Sequence, residues 1–161
     1  MSRRSRSREV ALQVLFQDDL NPCDPPNDAL PFLKQRLNNA EDLLIFSTEL
    51  INGVRQHQSD LDSTLEALAD HWSVHRMATA DRNILRLAVF EMLHLKTPHQ
   101  IVMDEAIELA KRFGSAQSSQ FINGILDRVW QEKGCSEINV DEQQMKKTAL
   151  SDAPTDPPRS T

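Results

Sequence analysis

The sequence predicts an all-α protein, folded as a compact bundle of about seven helices. No segment shows the sustained alternation of apolar and polar residues that is typical of a β-strand. Only four glycines and no tyrosine occur among the 161 residues, which weakens the case for strands further. Apolar residues recur instead every three to four positions, which is the spacing of a helix with one buried face.

The first helix is expected from about Arg4 to Asp19. Its apolar face repeats at the helical spacing and consists of Val10, Ala11, Val14 and Leu15. The following segment, residues 21–28, contains three prolines and therefore cannot continue the helix. A short helix with Leu30, Leu33 and Leu37 on one side is expected next.

A strongly amphipathic helix is predicted from about Glu41. Its pattern weakens in the polar stretch 56–60, and Ser59 offers a capping signal for a fresh helix. That fresh helix would carry Leu61, Leu65 and Leu68. The sequence therefore predicts a break between two helices here, followed by a connector over residues 70–79.

Three more helices complete the predicted bundle. They start near Thr79, near Pro98 and after the polar turn 115–120, and the last ends at Gly134. Beyond it the chain has one weak apolar cluster and three late prolines. We expect a helical domain over residues 4–134 and a largely disordered tail over residues 135–161.

Charge is unevenly distributed. The net charge is −6, yet residues 1–8 contain Arg3, Arg4, Arg6 and Arg8 and no acidic residue. Such a run is often only a solvated terminus. However, the guanidinium group grips phosphate with two parallel hydrogen bonds, and cations at a helix start are disfavoured by the helix dipole. We therefore predict a basic arm over residues 1–8 that leads into the first helix and binds nucleic acid locally.

Several function classes are unsupported. No apolar stretch is long enough to cross a membrane, and no secretion signal is recognisable, so a cytoplasmic protein is expected. Cys23 and Cys135 are expected as free thiols. His71 and His75 share a helical spacing but have no further metal ligands at a suitable distance in sequence. Without a phosphate-binding loop, nucleophile elbow or paired catalytic acids, the sequence predicts no enzyme, cofactor or metal.

Two further features have both a bland and a functional interpretation. Phe121 has the spacing of a core residue, but it opens a helix directly after a polar loop, where an aromatic ring can stack on an unpaired base. Acidic side chains, among them Asp81 and Glu91, follow two adjacent helices. They form either a solvated face or a surface for a basic protein.

Four sequence blocks together resemble the NusB family of transcription antitermination factors. They are RRSRSREVALQVLFQDD from Arg3, DRNILRLAVFEML from Asp81, IVMDEAIELAKRFG from Ile101 and FINGILD from Phe121. The resemblance implies two packed helical subdomains and no catalysis. It also implies binding of single-stranded boxA RNA in nascent ribosomal RNA transcripts, together with the ribosomal protein NusE, in a complex that acts on RNA polymerase.

Matching motif positions assigns roles within that resemblance. The four arginines would meet the RNA backbone, and Phe121 would meet a base, with Gln120 and Asn123 beside it. Asp81, with Glu91 in the same block, would contact NusE. The residue before the phenylalanine is often basic in the family but is Gln120 here. A rival hypothesis is a helical interaction module, possibly a homodimer, that does not bind RNA.

Overall fold

The computed structural model describes residues 2–70 and 72–134. These residues form helices and connecting segments without a β-strand, which confirms the all-α prediction. The helices are α1 (Arg3–Leu20), α2 (Leu30–Arg36), α3 (Glu41–Leu68), α4 (Thr79–Leu93), α5 (His99–Phe113) and α6 (Ser118–Val129). A short 3-10 turn, Val74–Arg76, precedes α4, and a π-helical turn, Trp130–Gly134, follows α6. The predicted tail, residues 135–161, lies outside the described residues.

Helix α1 begins at the arginines themselves. Ser2 caps it by accepting a hydrogen bond from the backbone amide of Ser5 at 3.1 Å, which satisfies one of the free amides of the first turn. Residues 3–8 of the predicted arm therefore belong to the first two turns of α1. The arginine side chains consequently project from a helix in fixed directions and do not share one environment.

The prediction of a helix break at residues 56–60 is wrong. Helix α3 is a single helix of 28 residues. The polar stretch contains no proline or glycine, and the buried face resumes in register, with Val54, Leu61, Leu65 and Leu68 all buried. A continuous apolar stripe outweighs a local capping signal, because most helix stability comes from packing of the buried face.

The helices surround a single hydrophobic core with α4 at its centre. Helix α4 contacts α1, α3, α5 and α6. Helix α1 runs parallel to α3, since Arg3 pairs with Asp42 and Asp18 pairs with Arg55. One core therefore joins the described helices. Fully buried members from different helices include Val10, Leu50, Ile84, Val89, Ile122 and Leu126.

Gly53 lies where α3 packs tightly against Phe90 of α4. A Cβ atom added at Gly53 would overlap the tip of the buried Phe90 ring. Inside a helix, glycine to alanine normally gains about 0.5–1 kcal/mol. Overpacking costs about 1–3 kcal/mol, so we expect Gly53→Ala to lower the free energy of unfolding, as measured by urea denaturation.

Gly124 is the matched control for Gly53. A Cβ atom added there would have no neighbour within 4 Å, so Gly124→Ala should gain about 0.5–1 kcal/mol of stability. Equal stabilisation by both substitutions would contradict the close packing of α3 on α4.

No helix among the described residues is long and apolar enough to span a membrane.

Candidate nucleic-acid interface

Three of the predicted arginines lie at the N-terminal end of α1, where they reach the surface. Arg3 and Arg4 are exposed and Arg6 is half-buried. Arg3 donates to Asp42 at 3.0 Å, and this hydrogen bond is the main cause that lowers the pKa of the Asp42 carboxyl. The guanidinium carbon of Arg4 lies 4.5 Å from the centre of the Phe46 ring. We name this group, Arg3, Arg4 and Arg6, the basic end of α1.

Arg8 does not belong to this surface. It is only 3% exposed, and its Nε donates to Glu91 Oε2 at 2.9 Å; a second nitrogen, Nη2, contacts Glu91 Oε1. Glu91 is 2% exposed. Arg8 and Glu91, both predicted to lie at the surface, form a buried ion pair with each other. We therefore revise both assignments and remove Arg8 from the RNA surface and Glu91 from the protein-partner surface.

The register of α1 explains why Arg8 is buried. Arg8 precedes Leu12 and Leu15 by four and seven positions, so Arg8 lies on the buried face of the helix. A charged group there must be paired, because an unpaired buried charge is strongly unfavourable. The helical spacing of Arg8 from Leu12 and Leu15 indicates burial, although its place in a run of four arginines suggests a shared surface.

Arg112 is a further surface cation that the sequence reasoning did not assign to the site. Its Nη1 donates to Glu9 Oε2 at 2.8 Å, and Arg6 Nη1 lies 3.3 Å from the same oxygen. Arg112 is near the end of α5, and residues 114–117 link that helix to α6. The carboxylate of Glu9 thus joins the basic end of α1 to the end of α5 that leads to Phe121.

Phe121 lies on the first turns of α6 and is partly buried against the core. Gln120 and Asn123 beside it are exposed. One side of Phe121 borders an open groove of about 450 Å³, which lies between α6 and the end of α3. The ring is therefore anchored in the core and still reaches a surface, the geometry that a stacking residue requires.

Asp81 lies on the first turn of α4 and is 8% exposed. Its Oδ1 atom is buried without a hydrogen-bond partner among the described residues. The free amides of the helix start favour a carboxylate at this position. An unpaired buried oxygen is nevertheless costly, because its lost hydrogen bonds to water are not replaced. Its contact with a partner protein stays a prediction.

The residues that the structure describes include no group of three or more His, Cys, Asp or Glu side chains that could hold a metal ion. His71, which has a helical spacing to His75, lies outside those residues, and so does Cys135. Cys23 is a free, exposed thiol.

Comparison with known proteins gives one consistent match. The model of the NusB family matches residues 5–131. The transcription antitermination protein NusB of Anaeromyxobacter dehalogenans strain 2CP-1 is 43% identical over 129 residues, which cover 80% of this chain and 90% of the relative. The protein of the same name from Bdellovibrio bacteriovorus is 39% identical over 131 residues, which cover 80% and 96%.

Solved structures agree with the sequence matches. The structure of T. maritima NusB superposes with a TM-score of 0.71 at 34% identity, covering 82% of this chain and 92% of that chain. A second structure, of antitermination factors NusB and NusE in complex with dsRNA, superposes with a TM-score of 0.68 at 25% identity, covering 81% and 98%.

Proposed function

Since the chain belongs to the NusB family of transcription antitermination proteins, we propose that it binds a boxA-type single-stranded RNA together with the ribosomal protein NusE. This RNA element would lie in nascent ribosomal RNA, and the assembly would act on RNA polymerase during elongation. A nascent bacterial transcript is a cytoplasmic ligand, so we place the protein in the cytoplasm. The family's members are non-catalytic factors, which confirms that the chain is not an enzyme.

The cations at the N-terminal end of α1 and the end of α5, together with the Phe121 ring on α6, support the RNA part of the proposal. The basic end of α1 offers guanidinium groups to phosphates, and Arg112 extends this positive surface towards α6. Phe121 offers a ring face to an unpaired base, with Gln120 and Asn123 available for base edges. Phosphate contacts position a nucleic acid, whereas ring and amide contacts read its bases.

The acidic remainder of the protein supports the partner part. The net charge is −6 although the basic end of α1 is positive, so RNA alone meets long-range repulsion from the rest of the surface. A basic ribosomal protein is complementary to that acidic surface. Asp81, at the start of α4, is the residue we assign to this contact. We therefore expect the protein to bind RNA weakly alone and more tightly in the presence of NusE.

The salt dependence of RNA affinity tests the role of the arginines. Four cations would give a slope of at most about −3 in log K against log salt, but with Arg8 internal the basic end of α1 contributes at most about −2. The triple variant Arg3→Ala, Arg4→Ala, Arg6→Ala should lose that contribution. Its melting temperature should stay close to that of the wild type, since these side chains are exposed or half-exposed.

The double variant Lys34→Ala, Arg36→Ala is the matched control, because it removes exposed cations from α2. It should leave RNA affinity and salt slope near those of the wild type. An unchanged affinity of the triple variant, measured by fluorescence anisotropy, would overturn the role of the basic end of α1.

A further inference from the structure

Trp72 is an exposed aromatic residue in the segment between α3 and α4. Its side chain is 56% exposed, and no ring of the described residues stacks on it. The other tryptophan, Trp130, stacks on His99 with ring centres 4.2 Å apart and an interplanar angle of 9°. An exposed indole offers a large, flat and rigid apolar face to a ligand.

The backbone holds Trp72 in place from both sides. Its amide donates to the carbonyl of Ala69 at 2.8 Å, and Val74, two residues later, is fully buried. Exposure of Trp72 therefore does not come from a loosely attached loop. The ring is presented by a segment that is anchored to the core.

Trp72 and Phe121 line the same groove. Leu68 and Ile125, both buried, contribute to its lining, and Arg128 lies along it. The guanidinium of Arg128 is held by the carbonyl of Leu68 and the carboxylate of Asp70, each at 2.8 Å. The groove, of about 450 Å³, has the size of a site for a small flat group.

We propose that Trp72 and Phe121 together form the site for an unpaired RNA base, with Trp72 as its second aromatic wall. This inference rests on the proposed function and extends it beyond Phe121. Phe121 lines this groove and is also the residue to which the proposed function assigns a base. Two aromatic walls suit a nucleobase, since stacking on ring faces is the sequence-tolerant part of single-strand recognition, and Gln120 at the groove supplies polar atoms for a base edge.

Two tryptophans in the chain make the test spectroscopic. In the full chain with Trp130→Phe, Trp72 is the one remaining tryptophan. We expect a single-stranded boxA-type RNA to quench its emission with the same Kd that anisotropy of the labelled RNA gives. Trp72→Ala should weaken RNA binding about 5- to 150-fold, whereas Trp72→Phe should retain most of the affinity. RNA should also quench the emission of the wild-type protein, and this quenching should be lost in the single variant Trp72→Ala. The comparison checks the result with Trp130 in place.

Unchanged RNA affinity in Trp72→Ala, or unquenched Trp72 emission at saturating RNA, would overturn the inference while RNA binding by the wild type stands. Loss of NusE binding with RNA binding intact would overturn it in favour of a protein contact. Failure of the wild type to bind RNA, alone and with NusE, would instead refute the proposed function. Circular dichroism and thermal melting of Trp72→Ala should match the wild type, since the side chain is more than half exposed.

Discussion

Replacing Glu91 with alanine should lower the free energy of unfolding by about 3–5 kcal/mol. The substitution leaves Arg8 in the core, where its side chain is 4% exposed, without its main counter-charge. The nearest remaining carboxylate oxygen, on Glu105, lies 3.6 Å from Arg8 Nη1 and belongs to a more exposed side chain. Chemical denaturation monitored by circular dichroism gives the free-energy change directly.

Two further variants identify the cause of that destabilisation. The double variant Arg8→Met, Glu91→Leu removes both charges and should recover most of the lost stability, because a buried pair is often replaceable by apolar residues. Asp42→Ala removes the carboxylate of the exposed pair with Arg3 and should hardly move the unfolding midpoint. A Glu91→Ala protein as stable as the wild type would show that Arg8 and Glu91 do not form a buried pair.

Replacing Phe121 with alanine should weaken binding of boxA-type single-stranded RNA about 5- to 150-fold. The expected loss is the stacking of one base on the ring, which is anchored against the core at the first turns of α6. Fluorescence anisotropy of labelled RNA measures the change. Because Phe121 also packs against the core, unfolding of each variant is measured in parallel.

Conservative substitutions separate stacking from packing at this position. Phe121→Trp keeps an aromatic face and should bind RNA nearly as well as the wild type, whereas Phe121→Leu keeps apolar bulk without that face and should bind weakly. Equal RNA affinity of the leucine and tryptophan variants would mean that Phe121 acts only through the fold.

Regular periodicity made most of the fold predictable. The apolar stripe of α1 and the proline-rich break after it lie where the sequence places them. Helix α3 continues past Ser59 because its buried stripe resumes at Leu61 and outweighs the local capping signal. Local hydrogen-bonding preferences are weak compared with burial of a long face, and burial depends on the partner helices that a single-sequence pattern does not show.

The candidate site was less predictable than the fold, because it depends on contacts between helices that are distant in sequence. Arg8 and Glu91 are 83 positions apart, and only the antiparallel packing of α4 on α1 brings their charges together. Trp72 lies in a segment that the sequence marks merely as a connector. Its position beside Phe121 depends on the contact of α6 with the end of α3. Long-range packing of this kind leaves no periodic trace in the sequence.

RNA affinity with and without the ribosomal partner tests the central claim most directly. The 161-residue chain would be titrated into labelled single-stranded boxA-type RNA, alone and with saturating NusE, with a duplex of the same sequence as competitor. We predict weak binding alone, about 5- to 150-fold tighter binding with NusE, and poor competition by the duplex. Absence of RNA binding in both conditions would contradict the claim and favour a helical protein-interaction module that does not bind RNA.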